Sequence, residues 1–197
     1  YGSFQNKNSL FMVVQFCPGG DLLNVVKASD LEKTRAGGLR AEHAAFYVAN
    51  ILVILRAFVD ADVAFRDLKP ENFALDSSGY LRVFDFGAAR VLVGEETTNT
   101  MVGTPEYLAP EVIMSKGHGR GVDIWALGVL CYELLASKTP FEHANSALIY
   151  QNIMELAGHA VLLQGLGVPR LPSSCLKSGQ ELIALYFHTS LNTLYTV

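Results

Sequence analysis

The sequence predicts a mainly α-helical domain that carries one small β-hairpin, and three observations lead there. Residues 40–60 repeat apolar side chains at helical spacing, and residues 122–136 are apolar around most of a helical circumference. Between them lies a tract of short apolar runs broken by polar clusters, the texture of short strands and loops. Half of the 197 residues are hydrophobic and only 17% are charged, so a real core is available and general disorder is excluded.

Taken in order, the run LFMVVQF at 10–16 reads as a buried strand, stopped by Pro18-Gly19-Gly20. Asp21 stands where a helix N-cap belongs, ahead of LLNVV. The polar stretch 27–38, closed by Gly37-Gly38, is a loop between helices. The helix over 40–60 follows, with Ala45, Val48, Leu52, Leu55 and Val59 on one stripe. FAL and YLRVF flank the turn Asp76-Ser77-Ser78-Gly79 and form the hairpin. VDIWALGVLCYELLA at 122–136 is a helix buried on nearly all sides, and two further helices are expected at about 144–157 and 178–191.

Several function classes are excluded. Fifteen Lys and Arg against nineteen Asp and Glu leave a net charge of −4 with no basic block, which argues against nucleic acid as a partner. Cys17, Cys131 and Cys175 are far apart and never in a Cys-x-x-Cys pair, which fits a reducing, cytoplasmic setting rather than a disulfide or zinc framework. The five histidines lack metal-ligand spacing. The apolar stretch 44–59 is short for a membrane span and holds Asn50 and Arg56, so no span is expected. The chain opens on Tyr1 with no secretory signal and reads as an excerpt of something longer.

The chemistry concentrates in Phe65-Arg66-Asp67-Leu68-Lys69-Pro70-Glu71-Asn72, then Asp85-Phe86-Gly87, then Ala109-Pro110-Glu111. Phosphoryl transfer needs a carboxylate to accept a hydroxyl proton, a cation near the γ-phosphate and oxygen ligands for Mg²⁺. Asp67, Lys69, Asn72 and Asp85 supply that set, and a hairpin between Asn72 and Asp85 would bring the two metal ligands side by side.

These motifs resemble the protein kinase family from about residue 10 to residue 157. Arg66-Asp67 with Lys69 and Asn72 is similar to the catalytic loop, Asp85-Phe86-Gly87 to the magnesium-binding motif, and Ala109-Pro110-Glu111 to the end of the activation segment. DLKPEN and GTPEYLAPEV resemble Ser/Thr rather than tyrosine kinases, and FRDLKPEN, SKGH and VDIWALGVLCYELL resemble the basophilic group containing the cGMP- and cAMP-dependent enzymes. The resemblance implies ATP and Mg²⁺ as cofactors and a protein-kinase-like fold: hinge strand and end of the small lobe at 1–17, large lobe at 18–160, and a divergent end at 161–197.

Residue by residue, it implies that backbone groups of Gln15 and Cys17 hold adenine, that Ala74 lies beneath the ring, that Asp21 meets the ribose, and that Asn72 and Asp85 hold the metal. Thr100 matches the phosphorylated activation-loop threonine, with Arg66 and Arg90 as its cationic partners. Thr104 matches the threonine that bonds the catalytic Asp and Lys. Asp21, Glu71 and Glu133 match acids that receive arginines of a basic protein substrate, although Asp21 as a plain helix cap and the others as solvated acids are the competing readings. Asp123 matches a structural carboxylate that accepts hydrogen bonds from the catalytic-loop backbone.

The departures matter too. No Gly-x-Gly-x-x-Gly and no Val-Ala-x-Lys precede the hinge, so the small lobe is missing from these residues, and the chain alone is expected to be an inefficient kinase with an exposed apolar face. Phe65 replaces the usual His or Tyr, Phe84 is bulkier than usual beside the adenine pocket, and no arginine follows Arg170 to pair with Glu111. Any cyclic-nucleotide-binding regulatory region would lie outside the chain. The alternative function is a noncatalytic kinase-like module that binds a protein partner.

Overall fold

The computed structural model describes residues 1–28 and 37–158. Its elements are β1 (Gly2–Gln5), β2 (Leu10–Val13), α1 (Leu22–Lys27), α2 (Ala41–Asp60), β3 (Val63–Ala64), β4 (Phe73–Leu75), β5 (Leu81–Val83), β6 (Arg90–Val91), α3 (Pro110–Ile113), α4 (Val122–Ala136) and α5 (Ser146–Gly158). The strands pair as three two-stranded antiparallel sheets, β1 with β2, β3 with β6, and β4 with β5.

The core forms around α4. All of its residues except Ile124 and Glu133 are buried, as the all-round apolar sequence predicts. Gly38 lets the preceding chain lie directly on this helix: the Leu39 N–H donates to the Leu134 carbonyl at 2.7 Å, and a Cβ at Gly38 would fall 2.1 Å from the Leu135 carbonyl carbon. Trp125 stacks on Phe141 at 6.1 Å, and Ile149 and Ile153 of α5 close the cluster.

α2 packs on α4 through Ala44, Val48, Ile51 and Leu55. This corrects the expected stripe: Val48 and Leu55 face inward, whereas Ala45, Leu52 and Val59 are exposed. Nearly every position from 44 to 59 is apolar, so several faces satisfy helical spacing and contact with α4 selects one. At 20 residues α2 has the extent expected for the 40–60 helix, and although its 44–59 stretch is short for a span, among the described residues the whole helix is long and apolar enough to cross a membrane. Its exposed side carries the Arg56–Asp60 ion pair.

A second correction concerns residues 10–16. The strand covers only Leu10–Val13, and all of it is exposed, because β2 pairs with β1 alone and no described residue covers either face. The β4–β5 hairpin forms as expected, with Asp76 accepting from the N–H groups of Ser78 and Tyr80 to close the turn. Gly19 and Gly20 bond the Leu75 backbone and add the segment after β2 to the edge of β4. The expected 144–157 helix is α5. The 178–191 helix, the 161–197 division and most of the 27–38 loop lie outside the described residues.

Candidate active site

The loop after β3 is fixed by a buried carboxylate. Asp123, in the first turn of α4 and 4% exposed, accepts the Phe65 N–H at 2.8 Å and the Arg66 N–H at 2.7 Å. Arg66 sits at φ +67°, a left-handed conformation that costs a non-glycine residue free energy and persists only where its surroundings enforce it. Those two bonds enforce it. Burial pushes the Asp123 carboxyl up to about 6, offset in part by the two backbone donors and the Arg66 charge.

The loop presents Asp67 inside a ring of donors. Its Oδ1 accepts the Thr104 hydroxyl at 2.9 Å, and its Oδ2 lies 2.9 Å from Lys69 Nζ and 3.0 Å from Asn72 Nδ2. Lys69 Nζ also donates to Thr104 Oγ1 at 2.9 Å. Burial works to raise the Asp67 carboxyl, but hydrogen bonds from Lys69, Thr104 and Asn72 outweigh it and hold the group below the usual carboxylate range. Thr104 reaches this ring because Gly103, at φ +112°, crosses close to the loop; a Cβ there would lie 2.7 Å from the Arg66 carbonyl.

The hairpin brings the backbone at Asn72 next to that at Phe84 and Asp85. The Phe84 N–H donates to the Asn72 carbonyl at 3.1 Å, one step beyond the Phe73–Val83 pair, which sets Asp85 beside the end of the 3₁₀ turn Pro70–Asn72. Asn72 spends its amide N–H₂ on the Asp67 carbonyl and carboxylate, which directs an oxygen away from them. Asp85, at φ +63°, accepts the Gly87 N–H at 3.1 Å and is otherwise open to solvent. A carboxylate and an amide oxygen form a hard donor set that fits Mg²⁺ shared with phosphate oxygens. Among the described residues no cluster of three or more His, Cys, Asp or Glu could hold a metal by itself.

The segment 86–104 returns over this loop. Phe86 meets Phe65 edge-on at 5.6 Å, and Phe65 stacks on Phe58 at 5.5 Å. Arg66 Nε donates to the Ala88 carbonyl at 2.8 Å, while its Nη1 is buried without a hydrogen-bond partner among the described residues. Arg90 Nη1 donates to Thr98 Oγ1 at 2.7 Å and reaches Thr100 Oγ1 at 3.5 Å. Glu111 Oε2 is likewise buried without a partner among the described residues, and burial raises its carboxyl above the usual range.

A group of acids stands beside the ring. The Tyr107 hydroxyl donates to Glu133 and the Thr139 hydroxyl to Glu106. Glu133 is pushed up to about 7, first by burial and then by the negative charges of Glu71 and Glu106, against the hydrogen bond from Tyr107. The same acids and burial raise Tyr107 far above its usual value. Asp21 caps α1, the competing reading of this residue, with Oδ1 on the Asn24 N–H at 2.7 Å and Oδ2 on the Asn24 amide at 2.9 Å. Its backbone bridges Ala74, which places the end of the 15–21 segment along the hairpin, and the Gln15 carbonyl meets only the Cys17 thiol, at 4.0 Å. Phe84 is exposed rather than packed inward. Sequence reasoning passed over Glu106, Tyr107, Thr98 and His118. The first two lie inside the quoted GTPEYLAPEV and His118 closes the quoted SKGH, but its pairing with Thr98 comes from a bridge between separate segments.

Comparison with known proteins gives a consistent answer. The protein kinase domain family matches residues 1–190, beyond the 10–157 stretch over which the motifs resemble it. The chain is 43% identical over 145 residues to the mouse (Mus musculus) cAMP-dependent protein kinase catalytic subunit PRKX, covering 74% of this chain and 38% of that protein. It is 38% identical over 154 residues to cAMP-dependent protein kinase type 3 of Saccharomyces cerevisiae (78% and 36%), and 38% identical over 168 residues to the cAMP-dependent protein kinase catalytic subunit of Dictyostelium discoideum (85% and 24%). The chain thus spans well under half the length of these relatives. Their names belong to cAMP-dependent enzymes, so the cGMP-dependent half of the expected likeness finds no support in them. The chain belongs to the protein kinase family.

Proposed function

We propose that these residues carry the large-lobe machinery of a serine/threonine kinase that transfers the γ-phosphate of ATP to hydroxyls of basic protein substrates. The observation that carries the reading is the Asp67 ring: a carboxylate kept ionised by Lys69, Thr104 and Asn72 at the mouth of a loop whose backbone is anchored in the core. An ionised, fixed carboxylate orients a substrate hydroxyl and takes its proton as the oxygen attacks phosphorus and ADP departs. Lys69 stands beside it to face the transferred phosphoryl charge. Asp85 and the Asn72 oxygen would hold magnesium, which would supply charge neutralisation there.

Adenine binds along 15–17 above Ala74, and Asp21 lies at the ribose end. Glu71 and Glu133, joined by Glu106, favour arginines upstream of the target hydroxyl through bidentate pairing. Thr100 is the regulatory phosphorylation site, with Arg66 and Arg90 as partners; the unpaired Arg66 Nη1 supports this. The small lobe and a cyclic-nucleotide-responsive regulatory region belong outside these residues, and the setting is cytoplasmic.

The test is Mg-ATP phosphorylation of an Arg-rich serine peptide against an acidic one, by the full-length gene product and by the 197-residue chain, with Asp85→Ala as control. Activity of the full-length protein on the basic peptide alone, abolished by Asp85→Ala, is the expected result. Folded full-length protein with phosphorylated Thr100 and no activity would instead make this a noncatalytic module that binds a protein partner.

A further inference from the structure

We propose that His118 is a proton-carrying partner for phosphate on Thr100, so that seating of the activation segment depends on pH. The inference rests on the reading of Thr100 as a phosphorylation site. His118 is 3% exposed, and it forms an antiparallel bridge with Thr98, with backbone bonds of 3.0 and 2.9 Å running both ways. Residues opposed in such a bridge project to the same side, about 5 Å apart at Cβ. The imidazole therefore shares a face with the Thr98 hydroxyl, which lies 2.7 Å from Arg90 Nη1 and 3.2 Å from Thr100 Oγ1. His118 also lines a cavity with Arg66, Thr104 and Asp123.

The surrounding charges define the unphosphorylated state. Burial, then Arg66 and Arg90, depress proton binding at His118, so the imidazole is neutral at pH 7. The other charged groups nearby are engaged elsewhere or exposed. Asp123 is occupied by the Phe65 and Arg66 N–H groups, Arg120 by Asp62 and the carbonyls of Leu92 and Gly94, Glu96 accepts the Val93 N–H, and Lys116 is exposed. A phosphate on Thr100 brings nearly two negative charges into a site holding two guanidiniums, one of which has a buried, unpaired Nη1. The repulsion from Arg66 and Arg90, which adds to burial in depressing proton binding at His118, is then offset, and a protonated imidazole adds a charged donor to the phosphate.

The test uses the 197-residue chain with threonine or phosphothreonine at position 100, the latter introduced by stop-codon suppression. The His118 Cε1–H resonance is followed by NMR from pH 5 to 9 and assigned by substituting His43, His143, His159 and His188 one at a time, so that a misfolded His118 variant would not block the measurement. Phosphorylation is expected to tighten proton binding at His118 at least tenfold, with a coupled step in the ³¹P titration that His118→Gln removes. An unchanged His118 titration, with a ³¹P resonance that Arg90→Ala still moves, overturns the inference and leaves the reading of Thr100 intact. A ³¹P titration like that of a phosphothreonine peptide, unmoved by Arg90→Ala, overturns both.

Discussion

Asp123 and Glu133 sit on one helix, and each is a carboxyl whose proton affinity burial has raised, but they control different things. Asp123 governs folding. Removing it by Asp123→Ala orphans two buried N–H groups in a strained loop, a loss on the order of 3 kcal/mol by denaturant unfolding. Its folded value, about 6, is above the ordinary one, so the folded state binds the extra proton; stability is full below about pH 4 and falls as pH rises through 6. Asp123→Asn is expected to flatten that slope in pH-dependent melts. Glu133 governs the acidic group. With a value of about 7, it gains charge as pH rises from 6 to 8, so an Arg-rich peptide should bind the full-length protein more tightly across that range. Calorimetry in buffers of different ionisation enthalpy should show about half a proton released per peptide at pH 7, and none with Glu133→Gln.

At the level of elements, the crossing of 103–104 over the loop at 65–72 is the sensitive joint. Gly103→Ala places a Cβ against the Arg66 carbonyl at a positive φ and is expected to cost about 1–3 kcal/mol in thermal unfolding and to pull Thr104 off Asp67. An accompanying rise in the Asp67 titration, read by carboxyl ¹³C NMR, separates displacement of the ring from simple destabilisation. What the sequence makes legible follows from how local the causes are. α4 reads directly because it is apolar on nearly every side and no face has to be chosen. α2 has its extent read but its face misassigned, since α4, far away in sequence, decides which residues turn inward. The two-residue β3–β6 pair and the four-residue α3 fall below any periodicity window. Asp67, Lys69 and Asn72 are legible within one six-residue run, whereas the Thr98–His118 and Glu106–Thr139 pairs exist only once the chain has folded.

At the scale of the molecule, the described residues expose a run of apolar side chains along β1, β2 and the segment that follows. Leu10, Met12, Val14 and Phe16, together with Phe84 and Phe86, are open, and β1 and β2 have no described cover. The 197-residue chain alone is expected to bind a hydrophobic dye and to self-associate in sedimentation velocity. Met12→Ser with Phe16→Ser should reduce association severalfold and leave the melting temperature unchanged, because neither side chain belongs to the core. An unchanged association would place the sticky surface elsewhere, with the outer side of α2 next in order.

Asp123 grips the loop by main-chain N–H groups, which every residue but proline possesses. The geometry of the Asp67 ring is therefore insulated from the side chain at position 65. That position is left free to answer to its aromatic neighbours, and here it does so as Phe65, wedged between Phe58 and Phe86.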